Sequence, residues 1–335
     1  MDLIEAICDK DNFHQAWQWL HSRRKNSHYN NDYWYILFHR QAIEKSVVNA
    51  LRTGIYRFSP CKYVNGVGCW GGQDALVLRA ITQVLTPHLM PHISEHCYHV
   101  AGRGGAKACV SAVDAAVADY KFVCRSDVNS YYASVNHRIL MRQLSKLIPE
   151  RALLELIAQL LDRLDEVDGE LYHVEGGITK GSPLSPLLGA VYLQGLDRTL
   201  GDYCQQRQLK YMRFMDDWIV LCHTRNQLRT VVRLMNGELD KVRMTKHPFK
   251  TYIGRIKDQG FDFLGYRIAD KKVNGLAVAW STWVKYHTKL KQLYEQNVPK
   301  QAIAEYVRRW IIWAKSGVTL DLNQPIKGHF DSQIA

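Results

Sequence analysis

The sequence predicts a mixed α+β fold of interlocked subdomains, and three features point there. Leucines recur three and four residues apart over long stretches, the period of an amphipathic helix. Short apolar runs at 121–127, 210–222 and 260–268 read as strands, and the first two carry carboxylates where they turn. No internal repeat, low-complexity tract or long linker separates these elements, and 47% apolar residues suffice for a sizeable core.

Taken in order, residues 1–60 read as helices, with the basic stretch His21-Ser22-Arg23-Arg24-Lys25-Asn26 separating the first from the second. The glycine-rich segment 66–72 reads as a turn or hairpin loop. An amphipathic helix is predicted over 73–90, stopped near Pro87. Arg103-Gly104-Gly105 is a flexible basic loop, followed by an Ala/Val-rich helix over 106–120. A strand closes on Asp127, and residues 138–168 are helical by their leucines. A Gly/Ser/Pro loop at 175–186 leads into an apolar helix over 187–200. Residues 210–222 read as a β-hairpin with Asp216-Asp217 at its turn. Helix follows over 227–244, a strand or hairpin over 260–268, and basic helix over 284–313.

Lys and Arg number 44 against 32 Asp and Glu, and the net charge of +12 points to a polyanionic partner. Eighteen Tyr and nine Trp offer surfaces on which single-stranded bases stack. The eight cysteines form no CxxC pair, which argues against zinc, and several sit in apolar runs as small core residues. Residues 1–20 carry Asp2, Glu5 and Asp9, unlike a signal peptide, and no run approaches a membrane span. A reduced cytoplasm is the expected location.

The strongest chemical signal is Asp216-Asp217 between apolar strands, because two adjacent carboxylates repel each other and cost desolvation energy. A bound cation compensates both, and Mg²⁺ takes such oxygen ligands together with substrate phosphates. A solvated Asp-Asp turn is the plain alternative. Asp127 closes a second strand upstream, and two strand ends can meet on one sheet. Phosphoryl transfer asks little of a protein beyond such positioning and charge.

The order of motifs resembles the bacterial reverse transcriptases, the superfamily of group II intron, retron, diversity-generating and defence-associated enzymes. Asp127-Val128-Asn129-Ser130-Tyr131-Tyr132 looks like their first catalytic-aspartate motif. Gly177-Ile178-Thr179-Lys180-Gly181-Ser182-Pro183-Leu184 resembles the glycine/SPLL motif, and Phe214-Met215-Asp216-Asp217 the YxDD box with Phe in place of Tyr. Phe249-Lys250-Thr251 resembles the later lysine motif, and Gly260 to Tyr266 the FLGY hairpin. The resemblance implies a right-hand polymerase. Fingers with N-terminal helices would span 1–118, and a palm with an antiparallel sheet 119–270, interleaved with finger helices at 138–175. A helical thumb would span 275–335.

It implies roles residue by residue. Asp127, Asp216 and Asp217, with the Val128 carbonyl, would hold two Mg²⁺ ions, for which Mn²⁺ substitutes. Lys250 would approach the leaving pyrophosphate. Tyr132 would be a steric gate favouring dNTP. Lys180, Gly181, Arg57 and Arg79 are candidates for the nucleotide. Phe214, Met215, Gly177, Phe263, Leu264, Gly265, Tyr266, Arg103, Lys289 and Arg308 are candidates for primer and template. A core tyrosine, a solvated lysine or a structural strand explains several of these equally well.

Room for an RNase H or endonuclease domain is not expected, so the partners implied are a dedicated structured non-coding RNA as template, a DNA primer or cDNA, and dNTPs. An accessory or second polymerase protein and oligomers are compatible with this. Lys180 stands where relatives commonly carry Gln, and with the short fingers hairpin it favours a defence-associated or unclassified enzyme. Two other functions stay open: a non-catalytic maturase-like RNA scaffold, and template-independent or protein-primed synthesis.

Overall fold

A computed structural model describes residues 2–26, 31–256, 260–269 and 276–316. Helices α1 (Leu3–Ile7) and α2 (Lys10–Arg24) begin on Asp2 and Asp9, whose carboxylates accept first-turn N–H groups. Of the basic stretch expected to separate two helices, His21–Arg24 form the last turn of α2, because Leu20 continues the buried stripe Phe13, Ala16, Trp17, and Lys25-Asn26 lie past its end. Next come α3 (Asn31–Phe38), α4 (Arg40–Arg52) and a hairpin of β1 (Cys61–Val64) and β2 (Val67–Cys69). Helix α5 (Gly72–Leu89) packs on α1, α2 and α3. Pro87 does not stop it, since buried Leu85 and Leu89 carry the packing past the lost hydrogen bond.

Helix α6 (Gly105–Ala116) leads into β3 (Phe122–Ser126). The stretch expected to stay helical through 168 divides into α7 (His137–Leu144), α8 (Arg151–Leu161) and a hairpin of β4 (Leu164–Val167) and β5 (Glu170–His173). Leu164 keeps the leucine period, but Asp168-Gly169, both at positive φ, form a two-residue hairpin turn. Parallel pairing of β4 with β1 completes a sheet of order β2-β1-β4-β5.

Helices α9 (Ser185–Tyr192) and α10 (Gln194–Gln206) precede β6 (Lys210–Phe214) and β7 (Asp217–Cys222). Helix α11 (Arg225–Lys241), started by a Thr224/Gln227 capping box, leads to β8 (Tyr252–Arg255). The central sheet has order β6-β7-β3-β8 and is antiparallel throughout. A three-stranded sheet β11-β10-β9 follows, from β9 (Phe261–Phe263), β10 (Tyr266–Ile268) and β11 (Leu276–Val278). Finally α12 (Trp280–Glu295) and α13 (Lys300–Lys315) divide where Asn297 turns left-handed and Pro299 precedes the new helix.

The central sheet is covered on both faces, which explains the unbroken apolar run of β7. Trp218, Val220 and Cys222 join the larger core with Val231 and Met235 of α11. Ile219 and Leu221 join a second core with Val110 and Val113 of α6 and Phe261, Phe263 and Tyr266.

Candidate active site

The three carboxylates converge at one end of this sheet. Ser126 pairs with Trp218 at the end of the β3–β7 ladder, so the next residues, Asp127 and Asp217, emerge side by side. By strand alternation both share the face of Val123, Ile219 and Leu221. Phe214 pairs with Asp217, leaving Met215-Asp216 as a two-residue turn. The Asp216 carboxyl stands close enough to that of Asp127 for the two to influence each other's charge.

Their electrostatics follow from this crowding. Burial raises Asp216 well above the usual carboxylate range, reinforced by Asp127. Asp217 is pushed up to about 6 by burial and by Asp127, against the pull of Arg125 and Lys250. Asp127 is only 2% exposed, so its charge needs compensation. Lys250 supplies part of it, with Nζ 2.5 Å from Asp127 Oδ2, and its own pKa is raised mainly by that bond. The loop bearing Lys250 is tied to β3: His247 N–H donates to Asp127 O at 2.7 Å, and Ser126 Oγ meets Thr251 Oγ1 at 2.9 Å. The bridge between Val128 and Lys246 uses the Asp127 carbonyl and the Asn129 N–H, not the carbonyl of Val128 itself.

The chemistry of these oxygen donors suits a divalent cation completed by substrate phosphates. Asp127 Oδ1 is buried with no hydrogen-bond partner, a costly state for a carboxylate oxygen that a metal would relieve. Among the described residues no group of three or more His, Cys, Asp or Glu side chains is placed to hold a metal ion by itself. The ammonium of Lys250 offsets part of the repulsion between Asp127 and its carboxylate neighbours.

The turn itself is pinned from behind. Met215 has φ +56°, rare for a residue with a side chain. Its N–H donates to His99 Nδ1 at 2.8 Å, and its carbonyl accepts from Arg213 Nη1 at 2.6 Å. Arg213 is wholly buried and forks onto Asp197 of α10, Nε to Oδ1 at 2.7 Å and Nη2 to Oδ2 at 2.5 Å. His99 Nε2 lies 3.1 Å from Pro186 O. Since Met215 N–H can only donate, Nδ1 is the unprotonated nitrogen. Burial and Arg213 lower the His99 pKa to about 4. The sequence reading passed over Arg213, Asp197, His99 and Arg125. The available signal was Arg213 and Asp197, single charges inside apolar segments that demand a buried partner.

Other predicted residues fall into two groups. Tyr132 stands beside Asp216, and burial with that neighbour pushes it up to about 12. Phe214 abuts the His99 ring, 6.0 Å between centroids. Arg103 lies near enough to Cys97 to influence its thiol. Gly177 is close-packed, since a Cβ there would stand 2.9 Å from Tyr132 O. Gly181 is crowded by Gly68 O and Val67, and Gly68 N–H donates to Lys180 O at 2.7 Å, so both glycines answer to the protein's own backbone. The Lys180 side chain is exposed.

The second group is held elsewhere. Arg57 bonds the Gly54 and Tyr56 carbonyls, and Arg79 bonds Gln83 and covers Trp19. Phe263 and Tyr266, expected to grip a primer, are 1% exposed and face the second core, because β9 and β10 pack on α6 and α13. Their turn, Leu264-Gly265, is half-buried, with Leu264 against the second core, and Gly265 O accepts from Ala279 N–H at 3.0 Å and Thr282 Oγ1 at 3.1 Å. Lys107 of α6 bonds Tyr266 Oη and Trp313 O, and burial lowers its pKa to about 8. On α12 and α13, Lys289 is exposed, whereas Arg308 and Arg309 both clasp Glu305 at 2.8 and 2.6 Å.

Carboxylates grouped at the ends of two central strands suit phosphoryl transfer, and comparison with known proteins gives the family. Residues 73–268 match the family model described as reverse transcriptase (RNA-dependent DNA polymerase). The chain belongs to the reverse transcriptase family, and its α+β fold is the fold of that family. It is similar to protein YkfC of Escherichia coli K12, 23% identical over 285 residues, covering 70% of this chain and 73% of that one. The COX1/OXI3 intron 1 protein of Saccharomyces cerevisiae is 19% identical over 282 residues, covering 66% of this chain. This chain spans 34% of the yeast protein's length. Among solved structures, telomerase from Candida albicans with a telomeric RNA fragment aligns at TM-score 0.48 and 15% identity, over 65% of this chain and 41% of that one. A partial Cas6-RT-Cas1–Cas2 complex aligns at TM-score 0.42 and 21% identity, over 72% of this chain and 42% of that one. No helix among the described residues is long and apolar enough to cross a membrane.

Proposed function

We propose that this chain copies RNA into DNA at the sheet edge where Asp127, Asp216 and Asp217 meet. The observation that carries the reading is the buried Asp127 oxygen with no partner, facing two further carboxylates whose pKa values are raised. Two Mg²⁺ ions held there would supply the charge that activates a primer 3′-hydroxyl and stabilises the leaving pyrophosphate. Lys250 presents an ammonium beside Asp127, suited to donate to the departing phosphate. Tyr132, next to Asp216, stands where a bulky ring would reject a 2′-hydroxyl. In this reading residues 119–270 are the palm, 1–118 the fingers and 275–335 the thumb, of which 1, 27–30, 257–259, 270, 275 and 317–335 lie outside the described residues. The test is primer extension on an RNA template with dNTPs and Mg²⁺. Wild type should extend, and Asp216→Ala with Asp217→Ala should not. Equal outcomes would point to a non-catalytic RNA scaffold.

The template in this proposal is a dedicated structured RNA, used in anti-phage defence. Its support is the net charge of +12 and the exposed lysine at position 180, beside the nucleotide-side glycine. Sequencing the RNA and cDNA that co-purify with the protein should return one discrete species. A random sample of cellular RNA would sink it.

A further inference from the structure

We infer that His99 is a positioning residue for Asp216, setting the carboxylate's place by holding the backbone of the turn that carries it. This rests on the polymerase reading above. Met215 occupies the left-handed region with a full side chain, a conformation that persists only where surroundings over-determine it. Two surroundings do so. Arg213 takes the carbonyl, and His99 takes the N–H at 2.8 Å.

His99 sits 116 residues upstream, in the loop between α5 and α6, and it belongs to neither strand of the hairpin. Its other nitrogen reaches Pro186 O at the first turn of α9, 3.1 Å away. The adjacent ladder fixes the ring's height, because Tyr98 N–H donates to Arg213 O and Arg213 N–H to His96 O, each at 2.8 Å. The imidazole is therefore a strut from a helix start to the carboxylate turn. Loss of its acceptor frees the Met215 N–H, and the turn relaxes toward less strained backbone angles. Asp216, the next residue, moves with it relative to Asp127.

The two nitrogens make the test specific. His99→Asn places an acceptor near Nδ1 and keeps the bond to Met215. His99→Gln reaches only the Nε2 position and keeps the bond to Pro186. His99→Leu keeps bulk and neither bond. In single-nucleotide incorporation, Leu and Gln should lower kcat on the order of 10²-fold, the scale of an ångström-sized misplacement. The Asn variant should retain most of the rate, and all three should bind the primer–template duplex as wild type does. Mn²⁺ binding to the free protein, followed by water-proton relaxation, should weaken in Leu and Gln and survive in Asn. Wild-type kcat in Leu, or equal losses in Asn and Gln, would reduce His99 to packing and overturn the inference. If wild type itself extends no primer, the polymerase reading fails. The Mn²⁺ series then decides His99 alone, and equal affinity in all four proteins overturns it.

Discussion

Two hairpins of this molecule have the same length and opposite designs. Both β6–β7 and β9–β10 turn through two residues, and both put a residue with a side chain at positive φ first, Met215 at +56° and Leu264 at +48°. In the second hairpin Gly265 follows, at φ +86°, and supplies the left-handed backbone locally, while its carbonyl is held by Ala279 and Thr282. In the first the following residue is Asp216, which the site needs, and no glycine is present. Its place is taken by one neighbour on the same strand, Arg213 backed by Asp197 of α10, and by one distant group, His99 backed by Pro186. Both turns have a carbonyl held by side or main chain elsewhere, but one has a glycine of its own to take the left-handed backbone, whereas the other relies on a second contact, from His99 to the Met215 N–H.

The comparison breaks most readily at Arg213. Replacing it with Met leaves Asp197, 1% exposed, as an uncompensated buried charge, at a cost of about 3–5 kcal/mol. Urea unfolding would show it as a lowered midpoint, and adding Asp197→Leu should recover much of the loss. An unmoved midpoint in the single variant would mean that the pair does not hold the turn.

In the other hairpin Gly265→Ala should cost about 1–2 kcal/mol, the penalty of left-handed backbone. Its new Cβ would also stand 3.2 Å from the Trp313 ring. A shift in thermal midpoint measures it, and a neutral result would remove the local half of the contrast.

The smallest effect is a pH dependence. His99 is lowered from about 6.5 to about 4, so in that window the unfolded chain binds more protons. Its contribution to stability is present above about pH 6.5 and is lost as pH falls toward 4. Asp217, raised to about 6, works the other way over much of the same range and masks it. The quantity to measure is the difference in midpoint between wild type and His99→Asn across this range. A difference that stays flat would show that the ring is not buried neutral.

The contrast also explains what was legible in the sequence. Asp127, Asp216 and Asp217 stood out because a carboxylate at the end of an apolar strand is costly unless something compensates it. The strands themselves read correctly for the same reason. Leu164 misled, since a leucine at helical spacing looks alike in a helix or in a strand paired with β1, some hundred residues away. Phe263 and Tyr266 suited a primer-gripping hairpin and a structural strand alike, and only the packing of α6 and α13 shows their faces to be inward. His99 was unreadable because both its partners lie far along the chain, at Pro186 and Met215.

Strand β7 is a party wall between two cores, with Trp218 and Val220 in one room and Ile219 and Leu221 in the other. Peripheral helices on either side can be exchanged or extended while the wall stays put. A single methylene gained or lost within it is felt in both rooms and at the carboxylates where it ends. Tolerance to mutation should therefore fall toward this strand from either flank, making it the least negotiable stretch of the chain.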